Sequence, residues 1–152
     1  MHAEAWREVE AIKRLKARYF RFLDTKQWEA WRDLFTDDAV LKVHSAVTTW
    51  GDPPQLFHDL VGAEVIMNTV RARIHDSVTV HHGHMPEIEL SSASTATGVW
   101  AMEDIVESAA HRLRGHGHYH ERYVRRDDGW RIASLELTRL RVERVEVTRP
   151  LG

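Results

Sequence analysis

The chain has 152 residues, of which 43% are apolar and 29% charged, with a formal net charge of −2. That length suits a single domain over residues 1–152 with a continuous core and room for a pocket, and the charge supplies no broad attraction for nucleic acid or an anionic membrane. Cysteine is absent, which excludes disulfides, thiolate catalysis and Cys-ligated zinc. No run of about twenty apolar residues and no signal-peptide pattern is present, so a cytoplasmic enzyme or binding protein is expected. Eleven histidines and six tryptophans stand above background; the first suit acid–base work or metal ligation and the second a deep core or aromatic-lined pocket.

In chain order, Ile12, Leu15, Tyr19 and Leu23 follow the three-and-four spacing of one helical stripe, preceded by Trp6 and Val9. Trp28, Trp31, Leu34 and Phe35 suggest a second helix, ended by Thr36-Asp37-Asp38, with a short strand over Ala39 to Val43. Gly51-Asp52-Pro53-Pro54 reads as a loop. A third, weaker helix is expected from Gly62 to about Arg73.

Beyond residue 76 the texture changes to alternation. Val78, Val80 and His82 alternate with Thr79 and His81, and Gly83 and Pro86 then interrupt before Ile88 and Leu90. That interruption predicts a bulge or bend. Ala96 to Ile105 places Trp100, Met102 and Asp104 on one face. His116 to Val124 is a further extended run, Asp127-Asp128-Gly129 a hairpin signal, and Trp130 to about Val142 a last long strand with Leu135, Leu137 and Arg139 on one face. Helices first and strands afterwards predict an α+β fold with a largely antiparallel sheet.

Four groups could carry chemistry. Tyr19 and Asp24 lie roughly 140° apart on a regular helix; they converge on one pocket if the helix ends near Leu23, and otherwise read as a core tyrosine and a solvated aspartate. Of His81 and His82, neighbours on a strand, only one can enter a given cavity. His116, His118 and His120 share a face opposite Tyr119, Glu121 and Tyr123; they could offer nitrogens to a metal but lack a located third ligand type, so a polar or interface-lining face is the plainer reading. Asp104 and Arg139 sit among apolar neighbours on strands, and desolvation demands that each be paired or functional. Phosphate loops, a serine nucleophile elbow, HExxH and a dinucleotide fingerprint are all absent.

The segments Ile12 to Asp24, Leu34 to Val40, His81-His82-Gly83-His84-Met85-Pro86-Glu87-Ile88, Ala96 to Trp100 and Gly129-Trp130-Arg131-Ile132 together resemble the SnoaL-like branch of the nuclear transport factor 2 superfamily. Within it the pattern is most similar to the bile acid 7α-dehydratases and more distantly to the scytalone dehydratases. The resemblance implies a cone: a curved antiparallel sheet wrapped by N-terminal helices around one deep pocket. It also implies a catalytic set of Tyr19, Asp24 and His81, the histidine placed by the shared Pro-Glu-Ile, with Asp104 and Arg139 as pocket residues. A further pocket tyrosine of those relatives is replaced here by Val43.

On this basis the chain is expected to dehydrate or isomerise an apolar, ring-containing hydroxy-ketone without cofactor or metal. His81 would be the base, held by Asp24 or Asp104, and Tyr19 the donor to an enolate oxygen. Trp28, Trp31 and Trp100 are candidates to touch substrate or to be plain core. A homo-oligomer, a trimer rather than a dimer, is implied by the same relatives. The competing expectation is a non-catalytic binder of an apolar small molecule.

Overall fold

A computed structural model describes residues 2–44 and 56–147. The Gly51–Pro54 loop therefore lies outside the described residues. Helix α1 (His2–Asp24) comes first, then α2 (Trp28–Arg32), β1 (Phe35–His44), β2 (Leu56–Val61), α3 (Ala63–Ile74), β3 (Val78–Leu90), β4 (Thr95–Glu107), β5 (His111–Arg126) and β6 (Gly129–Glu146). The strands form a six-stranded sheet in the order β2-β1-β6-β5-β4-β3. Every neighbouring pair is antiparallel except β1–β6, which is parallel. The expected α+β class holds, with a curved sheet that does not close.

The α1 stripe is the main anchor. Ile12, Leu15, Tyr19 and Leu23 are all buried, and α1 packs along β3 and against β6. The helix stops through a Schellman arrangement: Gln27 N–H donates to Phe22 O at 2.8 Å and Lys26 N–H to Leu23 O at 3.2 Å. Lys26 occupies the left-handed position, φ +60°, where glycine is usual. This stop leaves Asp24 in the last turn, turned towards β3.

Two expectations need correction. The second helix ends at Arg32, and Phe35 already begins β1, so the strand runs ahead of Ala39. Phe35 is paired with Ile132 of β6, and tertiary pairing overrides the short helical pattern there. Strand β2 was not expected at all. It is an edge strand whose sequence, Leu56-Phe57-His58-Asp59-Leu60-Val61, sets its apolar residues in adjacent pairs, so it carries no period-two signal.

The bend foreseen in β3 is present as a register shift between His84 and Glu87, with Met85 at φ +29°. Alternation in β4 holds, with Trp100, Met102 and Asp104 all buried. The hairpin at Asp127–Asp128 closes on Gly129, φ +130°.

Candidate active site

The site grows from the end of α1. Asp24 reaches β3, where its Oδ2 accepts the His81 backbone N–H at 2.8 Å and its Oδ1 meets His81 Nδ1 at 2.6 Å. Thr79 donates to the same Oδ1 at 3.0 Å, and Lys26 donates to Thr79 Oγ1 at 2.7 Å. A carboxylate in the last turn of a helix opposes the helix dipole; these donors offset that cost and fix its rotamer. His81 is buried, and its Nε2 has no protein partner among the described residues. With Nδ1–H given to Asp24, the lone pair of the neutral ring lies on Nε2.

His81 forms part of the wall of a cavity of about 540 Å³. Tyr19 and Tyr119 line the same cavity, with ring centroids 6.0 Å apart. Neither hydroxyl has a hydrogen-bond partner among the described residues, and neither is sealed from solvent. Burial, reinforced by Glu121, Asp104 and Asp24, pushes the Tyr19 phenol well above its ordinary pKa. Burial, with Tyr19 and Asp104 adding to it, does the same to Tyr119. Both remain proton donors across the physiological range.

Beneath the two phenols lies a buried polar network. The Lys16 ammonium sits 3.8 Å from the Tyr19 ring centroid and 3.7 Å from that of Tyr119. It is ion-paired with Glu121, which also accepts from the Tyr123 hydroxyl; Trp100 Nε1 donates to that hydroxyl at 2.9 Å. Burial brings the Lys16 pKa down to about 8, despite the opposing pull of Glu121. Sequence reasoning missed Lys16. The signal was there: it stands four residues after Ile12 and three before Tyr19, inside the apolar stripe.

At the adjoining wall Arg139 grips Asp104 with two bonds, Nη1 to Oδ1 at 2.6 Å and Nη2 to Oδ2 at 3.0 Å. Gly115 makes room for them, because a Cβ there would collide with Arg139 Nη1 and Asp104 Oδ1. Asp104 and Arg139 are thus both a buried ion pair and part of the cavity wall. Since Asp104 is taken by Arg139, the His81 ring is left to Asp24 alone.

The structure brings Tyr19, His81, Asp104 and Arg139 to one cavity, with Asp24 behind His81. Val43 and Trp31 also line it. Trp28 and Trp100 do not, contrary to their expected place against substrate: Trp100 is buried in the network with Tyr123, and Trp28 packs on the core beside Lys26. Trp100 shares its sheet face with Asp104 but stands further along β4, under α1 near Phe20 and Gly83. Cavity residues that escaped the sequence include His44, His58, Arg73 and Arg144.

The His116–His118–His120 row occupies the opposite face of β5 from Tyr119 and Glu121. Its contacts are modest: His120 Nε2 lies 3.1 Å from Thr138 Oγ1, and His116 Nε2 is 3.9 Å from Glu103 Oε2.

A helix-wrapped open sheet with an acid–base cavity defines a small-molecule pocket protein of the α+β class. The SnoaL-like domain model matches residues 4–136, and the chain belongs to that family. A probable cyclase of Gibberella zeae is 25% identical over 136 residues, covering 85% of this chain and 89% of its own. Two solved structures share the fold. One, a scytalone dehydratase candidate of Novosphingobium aromaticivorans, has a TM-score of 0.78 at 21% identity, covering 100% of this chain and 98% of its own. The other, a hexachlorocyclohexane dehydrochlorinase of Novosphingobium barchaimii, has a TM-score of 0.77 at 17% identity, covering 99% and 100%. No helix among the described residues is long and apolar enough to cross a membrane.

Proposed function

We propose that this chain is a cofactor-free lyase or isomerase that dehydrates, or shifts a double bond in, an apolar ring-containing hydroxy-ketone. The observation that carries the reading is the Asp24–His81 pair, whose free Nε2 belongs to a cavity wall shared with two unpaired phenols. His81 Nε2 removes a proton from the carbon next to the carbonyl, or vinylogous to it. Tyr19, assisted by Tyr119, donates to the oxygen on which enolate charge develops; fixed donors there contribute most as that charge forms. The enolate electrons then expel the hydroxyl, and the proton held on His81 leaves with it as water. Where no hydroxyl departs, the same proton returns to another carbon and the product is an isomer.

Membership of the SnoaL-like family and the cyclase relative support an enzyme of this general type. The test is turnover of a panel of cyclic β-hydroxy-ketones, followed by the absorbance of the conjugated enone. Formation of enone by the wild type, and its loss in His81→Ala, is expected. Tight binding without turnover across the panel would instead favour the non-catalytic binder.

A further inference from the structure

The cavity has two unlike polar ends set in an otherwise largely apolar wall. One end holds His81, Tyr19, Tyr119 and the Asp104–Arg139 pair. The other holds His44, His58, Arg73 and Arg144. Strand register sets the order. His81, Asp104, Gly115 and Val142 form one row across β3–β6, and Arg144 pairs with Leu113 one side-chain repeat further out on the same face. Aliphatic residues fill the wall around them: Val142 lies in the His81 row, and Val106 and Leu113 lie in the Arg144 row.

At the outer end the Glu136 carboxylate, behind the wall, is engaged by His44 Nε2 at 2.7 Å. The only carboxylate among the described wall residues is Asp104, and Arg139 already neutralises it. Arg73 and Arg144 have no carboxylate partner among the described residues. The cavity is therefore net positive in a chain whose total is −2, and a low-dielectric cleft focuses such a field. Arg73 is also braced, with its guanidinium 4.3 Å from the Phe57 ring centroid. Stacking on one flat face leaves the N–H edge free to meet a planar anion. Helix α3 turns its C-terminal residues Val70, Arg73 and Ile74 to the cavity and offers no N-terminal amides there, so recognition of an anion falls to the planar guanidinium groups, whose paired N–H donors match the two oxygens of a carboxylate.

We infer that the substrate carries a carboxylate on the side of its ring body remote from the reacting carbon, and that Arg73 and Arg144 hold it at the cavity rim. This rests on the proposed function only in taking the cavity as the substrate site; it assigns the ligand's polarity, not its reaction. Arg73 and Arg144 would then set orientation, keeping the carbonyl end at Tyr19 and His81.

The experiment measures binding alone, so it is independent of turnover. The fluorescent pair is 1-pyrenebutyrate and its methyl ester, titrated into the wild type and the Arg73→Gln/Arg144→Gln double variant. Charge-assisted pairing should make the wild type bind the acid roughly tenfold more tightly than the ester. The double variant should bring the two within about twofold while ester affinity stays as it was, and added salt should weaken only the acid. The same acid preference is expected in His81→Ala, whatever that variant does to turnover. A wild-type preference below about threefold, a preference that survives in the double variant, or parallel weakening of both probes would overturn the inference.

Discussion

His81 and His82 are neighbours in β3, yet one pleat step sends them to different worlds. His81 enters the cavity side, where Asp24 takes its Nδ1 at 2.6 Å. His82 is exposed on the outer face, where it stands opposite Glu103 of β4 and beside His84, ring centroids 6.3 Å apart. Imidazoles are more numerous outside than in. What distinguishes His81 from His82 is a carboxylate partner, burial and a free nitrogen on a cavity wall. A histidine count locates none of these; a partner on another element does.

The largest expected effect is at His81 itself. His81→Ala should lower kcat/KM by roughly a hundred- to ten-thousand-fold, the scale of a positioned general base. His82→Ala, one residue away, should stay within about twofold for want of any cavity contact. Comparable losses in both variants would erase the distinction between the two faces.

Next come the partners. Asp24→Asn and Tyr19→Phe should each lower kcat by roughly ten- to ten-thousand-fold, with little change in thermal unfolding because little apolar volume is lost. A double-mutant cycle sharpens the case. If Tyr19, Asp24 and His81 work as a unit, removing two should cost little more than removing the worse one. Free energies that simply add would mean neighbours without a shared step.

Lys16 tests the cavity floor by stability. Lys16→Met leaves the Glu121 carboxylate buried without its cation, a change expected to cost roughly 3–5 kcal/mol in chemical denaturation; adding Glu121→Gln should recover part of it.

The pH dependence has a definite sign. Because burial holds the folded-state Lys16 pKa near about 8, below its ordinary 10.5, the unfolded chain binds the extra proton between those values. The contribution of this group to stability therefore rises as pH climbs through that window. Tyr19, Tyr119 and Tyr123 act oppositely: their raised folded-state values reduce stability as pH passes the ordinary phenol value of 10.0. Melting temperature should climb above pH 8 and turn over near 10. Lys16→Met should remove that rise, and a flat wild-type profile would contradict it.

The smallest effects belong to the outer face. His116→Ala and His120→Ala should leave unfolding free energy within about 0.5 kcal/mol and turnover unchanged. A marked loss of activity in either would move function to the other side of the sheet.

Local pattern alone determined much of this protein. The α1 stripe, the alternation of β4, the break in β3 at Gly83 to Pro86 and the turn at Asp127–Gly129 are short-range features, and backbone periodicity writes them directly into the sequence. The family resemblance added the set Tyr19, Asp24 and His81. What stayed illegible has a common cause. The Asp24–His81 contact joins residues 57 apart and the Lys16–Glu121 pair residues 105 apart; no local period encodes either.

In β3 the polar Thr79 and His81 are the buried face and Val78 is exposed, because that face meets Asp24 and the cavity instead of an apolar core. Edge strand β2, the early start of β1 and the removal of Trp28 and Trp100 from the cavity wall were likewise decided by what packs against them. Residue type and spacing determined which chemistry was possible. Only the closing of α1 onto β3, with a Schellman stop that points Asp24 at His81, decided which histidine receives that carboxylate.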